Sequence, residues 1–187
     1  MKKIRQLFFC SVFTLLSVSI AFGQNETPTL PIDSSSGKIT YSEVVTLKDT
    51  IPKNELFSRA KSCFVHLFKN SNNVIQNEDK EAGNIIEKGN IKVYARALGT
   101  NYDGGYVNFT LSIAIKDGRY KYTITDFTHE GTGSNMPSGG NLENGKPKQW
   151  IQKQWNSIIS QTDDGIKSLI SSIKLEMNKP SPQSDNW

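Results

Sequence analysis

The sequence predicts an α+β fold: an antiparallel sheet of about six strands with two helices packed on one of its faces. Three observations carry that expectation. Val107, Phe109, Leu111, Ile113 and Ile115 alternate without a break against Asn108, Thr110, Ser112 and Ala114, the period of a half-buried strand. Asp117-Gly118 follows, a pair favoured in two-residue hairpins, and Tyr120, Tyr122 and Ile124 start a return strand. Near the end of the chain Ile151, Trp155, Ile158, Ile159, Thr162, Ile166, Leu169, Ile170, Ile173 and Met177 recur at helical spacing, the apolar face of one long helix.

Taken in order, the chain opens with Lys2, Lys3 and Arg5, an apolar stretch from Leu7 to Phe22, and the small residues Ala21 and Gly23. Basic head, apolar middle and small-residue exit predict a secretory signal peptide over residues 1–23, cut between Gly23 and Gln24. The apolar stretch is short for a membrane span, which needs about 20 residues. Cys10 lies inside it rather than at its end, so lipid anchoring there is not expected. The expected mature protein is therefore exported, periplasmic or secreted, with no stable membrane anchor.

Cleavage changes the charge argument. The full chain of 187 residues carries 22 basic and 18 acidic side chains, a net charge of +4. Losing Lys2, Lys3 and Arg5 leaves 19 basic residues against 18 acidic ones. A nearly neutral domain lacks the many cations that nucleic-acid phosphates require, so no nucleic-acid partner is expected. Cys63 becomes the sole cysteine, which excludes an internal disulfide. The remaining chain is long enough for one core of its own.

Residues 24–37, rich in Pro, Ser and Thr, read as a linker. Ile39, Tyr41, Val45 and Leu47 approximate a strand, with the charged Glu43 on the same parity. Thr50 is placed to cap a helix from about Pro52 to Lys69, with Pro52 in its first turn and Leu56, Ala60, Cys63, Phe64, Leu67 and Phe68 as its apolar stripe. Short strands are expected at Val74 to Asn77 and Asn84 to Glu87, then at Ile91 to Ala97, with a turn at Asp103-Gly104-Gly105. Phe127 breaks the parity of Tyr120, Tyr122 and Ile124, which predicts a bulge or the end of pairing. The Gly-rich residues 131–148 read as a long mobile loop. Residues 149–177 form the C-terminal helix, which Asp163-Asp164-Gly165 could kink, and 178–187 a disordered tail.

Ala60-Lys61-Ser62-Cys63-Phe64, Val74-Ile75-Gln76, Gly83-Asn84-Ile85-Ile86-Glu87-Lys88-Gly89 and Tyr122-Thr123-Ile124-Thr125-Asp126-Phe127-Thr128-His129 resemble a family of exported bacterial proteins, a domain of unknown function with a TBP-like fold. The resemblance covers residues 38–130. It implies the TBP-like architecture and an envelope or surface setting, and brings no activity, cofactor or catalytic residue.

Each candidate for chemistry weakens on inspection. Gly140-Asn141-Leu142-Glu143-Asn144-Gly145-Lys146 has the spacing of a phosphate-binding loop, but Pro147 follows where the chemistry needs a hydroxyl and a helix N–H. His66 falls off the apolar stripe of its helix and reads as solvated. Cys63 falls within the stripe and reads as an inert buried thiol. Asp163 and Asp164 point about 100° apart on a helix and cannot act as an acid/base pair. His129 beside Asp126 is the best placed of these for a hydrolase site assembled in space. No zinc-like spacing appears, and no metal or cofactor is expected.

The sheet face turned away from the helices is the more promising surface. Alternation places Tyr94, Arg96, Tyr106, Asn108, Thr110, Ser112, Lys121, Thr123 and Thr125 on it. Tyr and Arg suit interfaces, so the leading expectation is a non-enzymatic domain that binds an envelope or extracellular protein, peptide or glycan there. The alternative is a small apolar-ligand carrier of helix-grip type, with a cavity between sheet and C-terminal helix lined by Trp155, Ile159, Ile166 and Ile170.

Overall fold

The computed structural model describes residues 28–68, 75–97, 99–133 and 136–180. The expected leader with its Gly23/Gln24 cut, and most of the tail, lie outside the described residues. The elements run β1 (Tyr41–Thr46), α1 (Lys53–Leu67), β2 (Ile75–Asp79), β3 (Asn84–Ala97), β4 (Thr100–Lys116), β5 (Arg119–Glu130), β6 (Gly140–Asn141), a 3-10 turn (Leu142–Asn144) and α2 (Gln152–Asn178). All pairings are antiparallel, in the order β1-β5-β4-β3-β2, and β6 joins β5 at Thr128 and His129.

The alternation read from the sequence sets the layers. Val107, Phe109, Leu111, Ile113 and Ile115 of β4, with Tyr120, Tyr122 and Ile124 of β5, are buried under the helices. From α1 come Leu56, Phe57, Ala60, Cys63 and Phe64, and from α2 Trp155, Ile158, Ile166, Ile173 and Met177. Both helices thus pack on one face, since each apolar stripe can leave water only there. Each fully buried large apolar side chain contributes about 1.5–3 kcal/mol. Glu43 breaks the apolar parity of β1 without cost because it sits at the sheet edge. There it accepts from the Tyr122 hydroxyl (2.8 Å) and pairs with Lys174 of α2 (2.6 Å).

Several local expectations change. Pro52, not Thr50, precedes the first turn of α1, and the Lys53 N–H is capped by Asp117 Oδ1 (2.7 Å) from the β4–β5 turn. Gly118 N–H donates to Ile51 O (2.9 Å), which ties the same turn to the helix start. The two strands expected at Asn84–Glu87 and Ile91–Ala97 are one, β3. Asp103-Gly104-Gly105 is not the turn but a bulge inside β4: Tyr94 pairs Asp103 and Lys92 pairs Tyr106, so two glycines oppose Val93. Gly105 has φ +89°, and a Cβ there would lie 1.9 Å from the Glu130 carbonyl oxygen.

The described part of the expected linker folds back as a small hairpin. Ile32 bridges Ile39, and Asp33 accepts from the backbone N–H of Ser35 (2.9 Å) and Ser36 (2.8 Å). Residues 131–148 also carry regular structure, because β6 and the 3-10 turn bury Leu142, and Glu143 accepts from Ile39 N–H (2.9 Å). Helix α2 is continuous through Asp163-Asp164-Gly165. Gly165 is where it approaches β3, and a Cβ there would meet Ile91 Cδ1 at 2.9 Å. At its start Trp150 is buried, while Ile151, expected in the stripe, is exposed. Among the described residues no helix is long and apolar enough to cross a membrane.

Candidate functional site

The face of the sheet that the helices leave open is shaped by the parity break at Phe127. Thr110 pairs Thr125 and Asn108 pairs Thr128, so Asp126 and Phe127 together oppose Phe109. This bulge turns Phe127 and His129 into the core after Ile124, and swings Asp126 to the open side. Asp126 is the one non-glycine residue with positive φ (60°) among the described residues, a conformation that costs free energy for most side chains. Its carboxylate pairs with Lys38 (2.8 Å), which holds it below the usual aspartate range.

The bulge opens a depression of about 550 Å³ lined by Lys88, Asn108, Thr110, Asp126, Thr128 and Glu130. Beside it, the Gly104-Gly105 bulge sets Tyr94 and Tyr106 on the same face, 46% and 42% exposed. Lys92 lies over the Tyr106 ring, 4.4 Å from its centroid, and pairs with Asp103 (2.5 Å). Gln161 of α2 holds the backbone of Tyr94 from the strand edge, accepting from its N–H (3.0 Å) and donating to its carbonyl (2.6 Å). The tyrosine therefore stands on a fixed backbone.

The residues expected on this face are all there. Tyr94, Arg96, Tyr106 and Lys121 are exposed, and Asn108, Thr110, Ser112, Thr123 and Thr125 are half-buried between their strand neighbours. They do not form one cluster. Asn108 and Thr110 line the depression at the Asp126 bulge, with Tyr106 next along β4. Lys121 and Thr123 lie toward the β4–β5 turn.

A second depression there, about 470 Å³, is bordered by Val44, Ala82, Ala114, Lys116, Arg119 and Lys121. Lys88, Thr128 and Glu130 in the first depression, and Lys116 and Arg119 in the second, were not singled out from the sequence. The signal existed: in Lys116-Asp117-Gly118-Arg119-Tyr120-Lys121 a two-residue turn pairs Lys116 with Arg119 and so puts three cations on one face.

The other candidates fall away from chemistry. His129 is fully buried, with Nε2 donating to Gly104 O (2.6 Å) and Nδ1 accepting from Gly139 N–H (2.8 Å). Trp150 and Trp155 meet its ring edge-on. Burial holds its pKa below the usual histidine value. Asp126 lies on the opposite face, so the two do not come together.

His66 is exposed on α1 and bonds Glu176 of α2 (3.1 Å). Cys63 is buried, and burial pushes its thiol up to about 12. Asp163 accepts from the Tyr41 hydroxyl (2.8 Å) and pairs with Lys167 (2.7 Å), and Asp164 is exposed. The phosphate-loop look-alike is β6 and its 3-10 turn laid on β5, with Asn141 capping Glu143 N–H (3.0 Å).

One core residue was overlooked. Glu87 on β3 is 2% exposed and faces the helix layer, and its Oε2 has no hydrogen-bond partner among the described residues. Burial raises its carboxyl to about 7. Among the described residues no group of three or more His, Cys, Asp or Glu is arranged to hold a metal ion.

Comparison with known proteins bears on the fold. Residues 41–130 match the family model "Domain of unknown function (DUF4468) with TBP-like fold". A DUF4468 family protein from Bacteroides ovatus superposes with a TM-score of 0.62 at 13% identity, covering 81% of this chain and 92% of its own. A TBP-like protein from Parabacteroides distasonis gives 0.56 at 14% identity, covering 77% and 96%. No curated protein matches the sequence. The antiparallel sheet with both helices on one face is thus a TBP-like fold, and residues 41–130 of this chain are similar to the DUF4468 domain.

Proposed function

We propose that the chain is exported and acts as a non-enzymatic binding domain, holding a protein, peptide or glycan partner on the open face of its sheet. The carrying observation is the bulge at Asp126. It keeps a non-glycine residue at φ 60° and opens a polar depression on the face opposite both helices. Non-glycine residues held at positive φ cluster at binding and active sites. Tyr106 pairs Glu130 at the rim of the depression, and Tyr94 and Arg96 continue the same face along β3. Exposed Tyr and Arg side chains are over-represented among the residues that dominate interface energetics.

The helix-grip alternative gains no comparable support. Ile166 is fully buried, Trp155 and Ile159 nearly so, and both depressions described above lie on the other side of the sheet.

The test is recovery of partners from envelope extract, and binding on peptide and glycan arrays, with the wild-type domain and Tyr94→Ala/Arg96→Ala side by side. Loss in the double variant, with binding retained by Val65→Ser on the helix layer, supports the reading. Equal recovery of every partner contradicts it. Export is tested separately by the N-terminal sequence of protein taken from cells, expected to begin at Gln24.

A further inference from the structure

The depression at the β4–β5 turn has an electrostatic character that the polar depression lacks. Lys116, Arg119 and Lys121 project to the open face, because Lys116 pairs Arg119 across the turn and Lys121 pairs Ala114. Their neighbours on that face by register are Thr46, opposite Arg119, and Val44, opposite Lys121, on β1, with Asn84 opposite Ala114 on β3. All of these are uncharged. The one carboxylate close in sequence, Asp117, is turned away to cap the Lys53 N–H of α1. Glu43 points to the helix side, where Lys174 and Tyr122 hold it. No ion pair joins Lys116, Arg119 or Lys121 to a carboxylate among the described residues.

Three cations with no ion pair among the described residues thus border a concavity whose other borders are uncharged, with Val44, Ala82 and Ala114 apolar and Asn84 polar. Its volume of about 470 Å³ falls within the usual range for small-ligand sites, roughly 300–1,000 Å³. Cations that converge on a concavity suit a compact anion better than a flat charged surface, and the apolar border gives an attached carbon chain somewhere to lie. We propose that this depression binds a small amphiphilic anion, a phosphate or carboxylate head on a short apolar body. The site is distinct from the Tyr94/Arg96/Tyr106 surface, and its success or failure is read by different variants.

The probe is octyl phosphate, titrated calorimetrically into the protein, with octanol and inorganic phosphate as the two halves of the ligand. Saturable binding of octyl phosphate is expected, with both halves at least about tenfold weaker. Arg119→Gln/Lys121→Gln should weaken it about tenfold or more, the scale of losing charge-assisted contacts. Lys116→Gln/Lys121→Gln provides a second reading if the first variant has a lowered unfolding midpoint. Lys88→Gln at the polar depression, and Tyr94→Ala/Arg96→Ala, should leave the affinity unchanged.

No saturable binding overturns the proposal, as does equal binding by both charge-depleted variants. Octanol or inorganic phosphate matching octyl phosphate overturns it too. Binding confined to phosphatidylglycerol vesicles, with none of the monomeric probe, would assign the cations to a membrane surface instead.

Discussion

The two ends of the open sheet face are built from the same strands and differ in how their charges are answered. At the bulge end Lys38 is paired with Asp126 and Lys92 with Asp103, while Glu130 shares the depression with Lys88. At the turn end Lys116, Arg119 and Lys121 border a depression with no carboxylate in its lining. Counting charges along the sequence hides this, because Asp117 sits among the three cations and cancels one of them on paper. In space Asp117 belongs to the start of α1. A near-neutral chain can therefore present a locally cationic concavity, provided its carboxylates are committed elsewhere.

The ends also differ in what holds their shape. The bulge end depends on backbone that has little tolerance for change, and the largest expected effect is there. Gly105→Ala forces a Cβ against the Glu130 carbonyl at a φ unfavourable for alanine, so a loss of about 3 kcal/mol or more is expected in urea unfolding. A stability within about 0.5 kcal/mol of wild type would mean that the Gly104-Gly105 bulge is not as described.

Next in size are two buried titratable groups beneath the sheet, with opposite signs. Glu87 has its carboxyl raised to about 7 in the fold. Its contribution is fully present below the unfolded value, about 4.3, and is lost as pH rises through about 7. The loss is of order 3–4 kcal/mol at about 1.4 kcal/mol per pKa unit, and Glu87→Gln should flatten that decline in unfolding measured from pH 4 to 8. If the pH profile of Glu87→Gln equals that of wild type, the carboxyl is not buried as charge-averse.

His129 works the other way, since its folded value is depressed. Its contribution is present above the unfolded value, about 6.5, and is lost as pH falls through the folded value. His129→Ala should cost about 2–4 kcal/mol at neutral pH, from the cavity and two orphaned backbone partners. It should also remove this acid-side sensitivity. A stable variant with unchanged pH dependence would contradict the assigned hydrogen bonds.

The smallest effect on stability is expected at the surface itself. Tyr94→Ala/Arg96→Ala should stay within about 0.5 kcal/mol per site, because both side chains are exposed and the Tyr94 backbone is held by Gln161. A large thermal destabilisation would mean that these side chains hold the fold together rather than serve a partner.

Much of this molecule was legible in the sequence. The uninterrupted alternation from Val107 to Ile115 and the Asp117-Gly118 turn fix β4 and β5, and the broken parity at Phe127 announces the bulge. The stripe from Trp155 to Met177 is long enough to stay in phase through Gly165. The misread positions share a cause: a glycine pair fits a turn and a bulge equally well, so Gly104-Gly105 gave no means of choosing. Pairing partners decided it, and they lie more than ten residues away.

The same holds for Asp117 as the cap of α1, since a cap from outside the helix leaves no local pattern. Leu30, Leu142 and Trp150 were hidden in polar, glycine-rich stretches where a single apolar residue carries no periodicity. At the open face the individual residues could be read from parity. Their division into two depressions could not, because it depends on where the bulges bend the strands.

The central claim is that ligands meet this domain on the open sheet face and not between the sheet and α2. Amide chemical-shift mapping with octyl phosphate tests it directly on the isotope-labelled protein. The account predicts perturbations centred on Lys116 to Lys121 and Val44, with Ile158, Ile166 and Ile173 of α2 unmoved. Perturbations centred instead on those α2 residues and on Val93 and Val107 beneath them would contradict it, and would favour a carrier with its cavity under the helix.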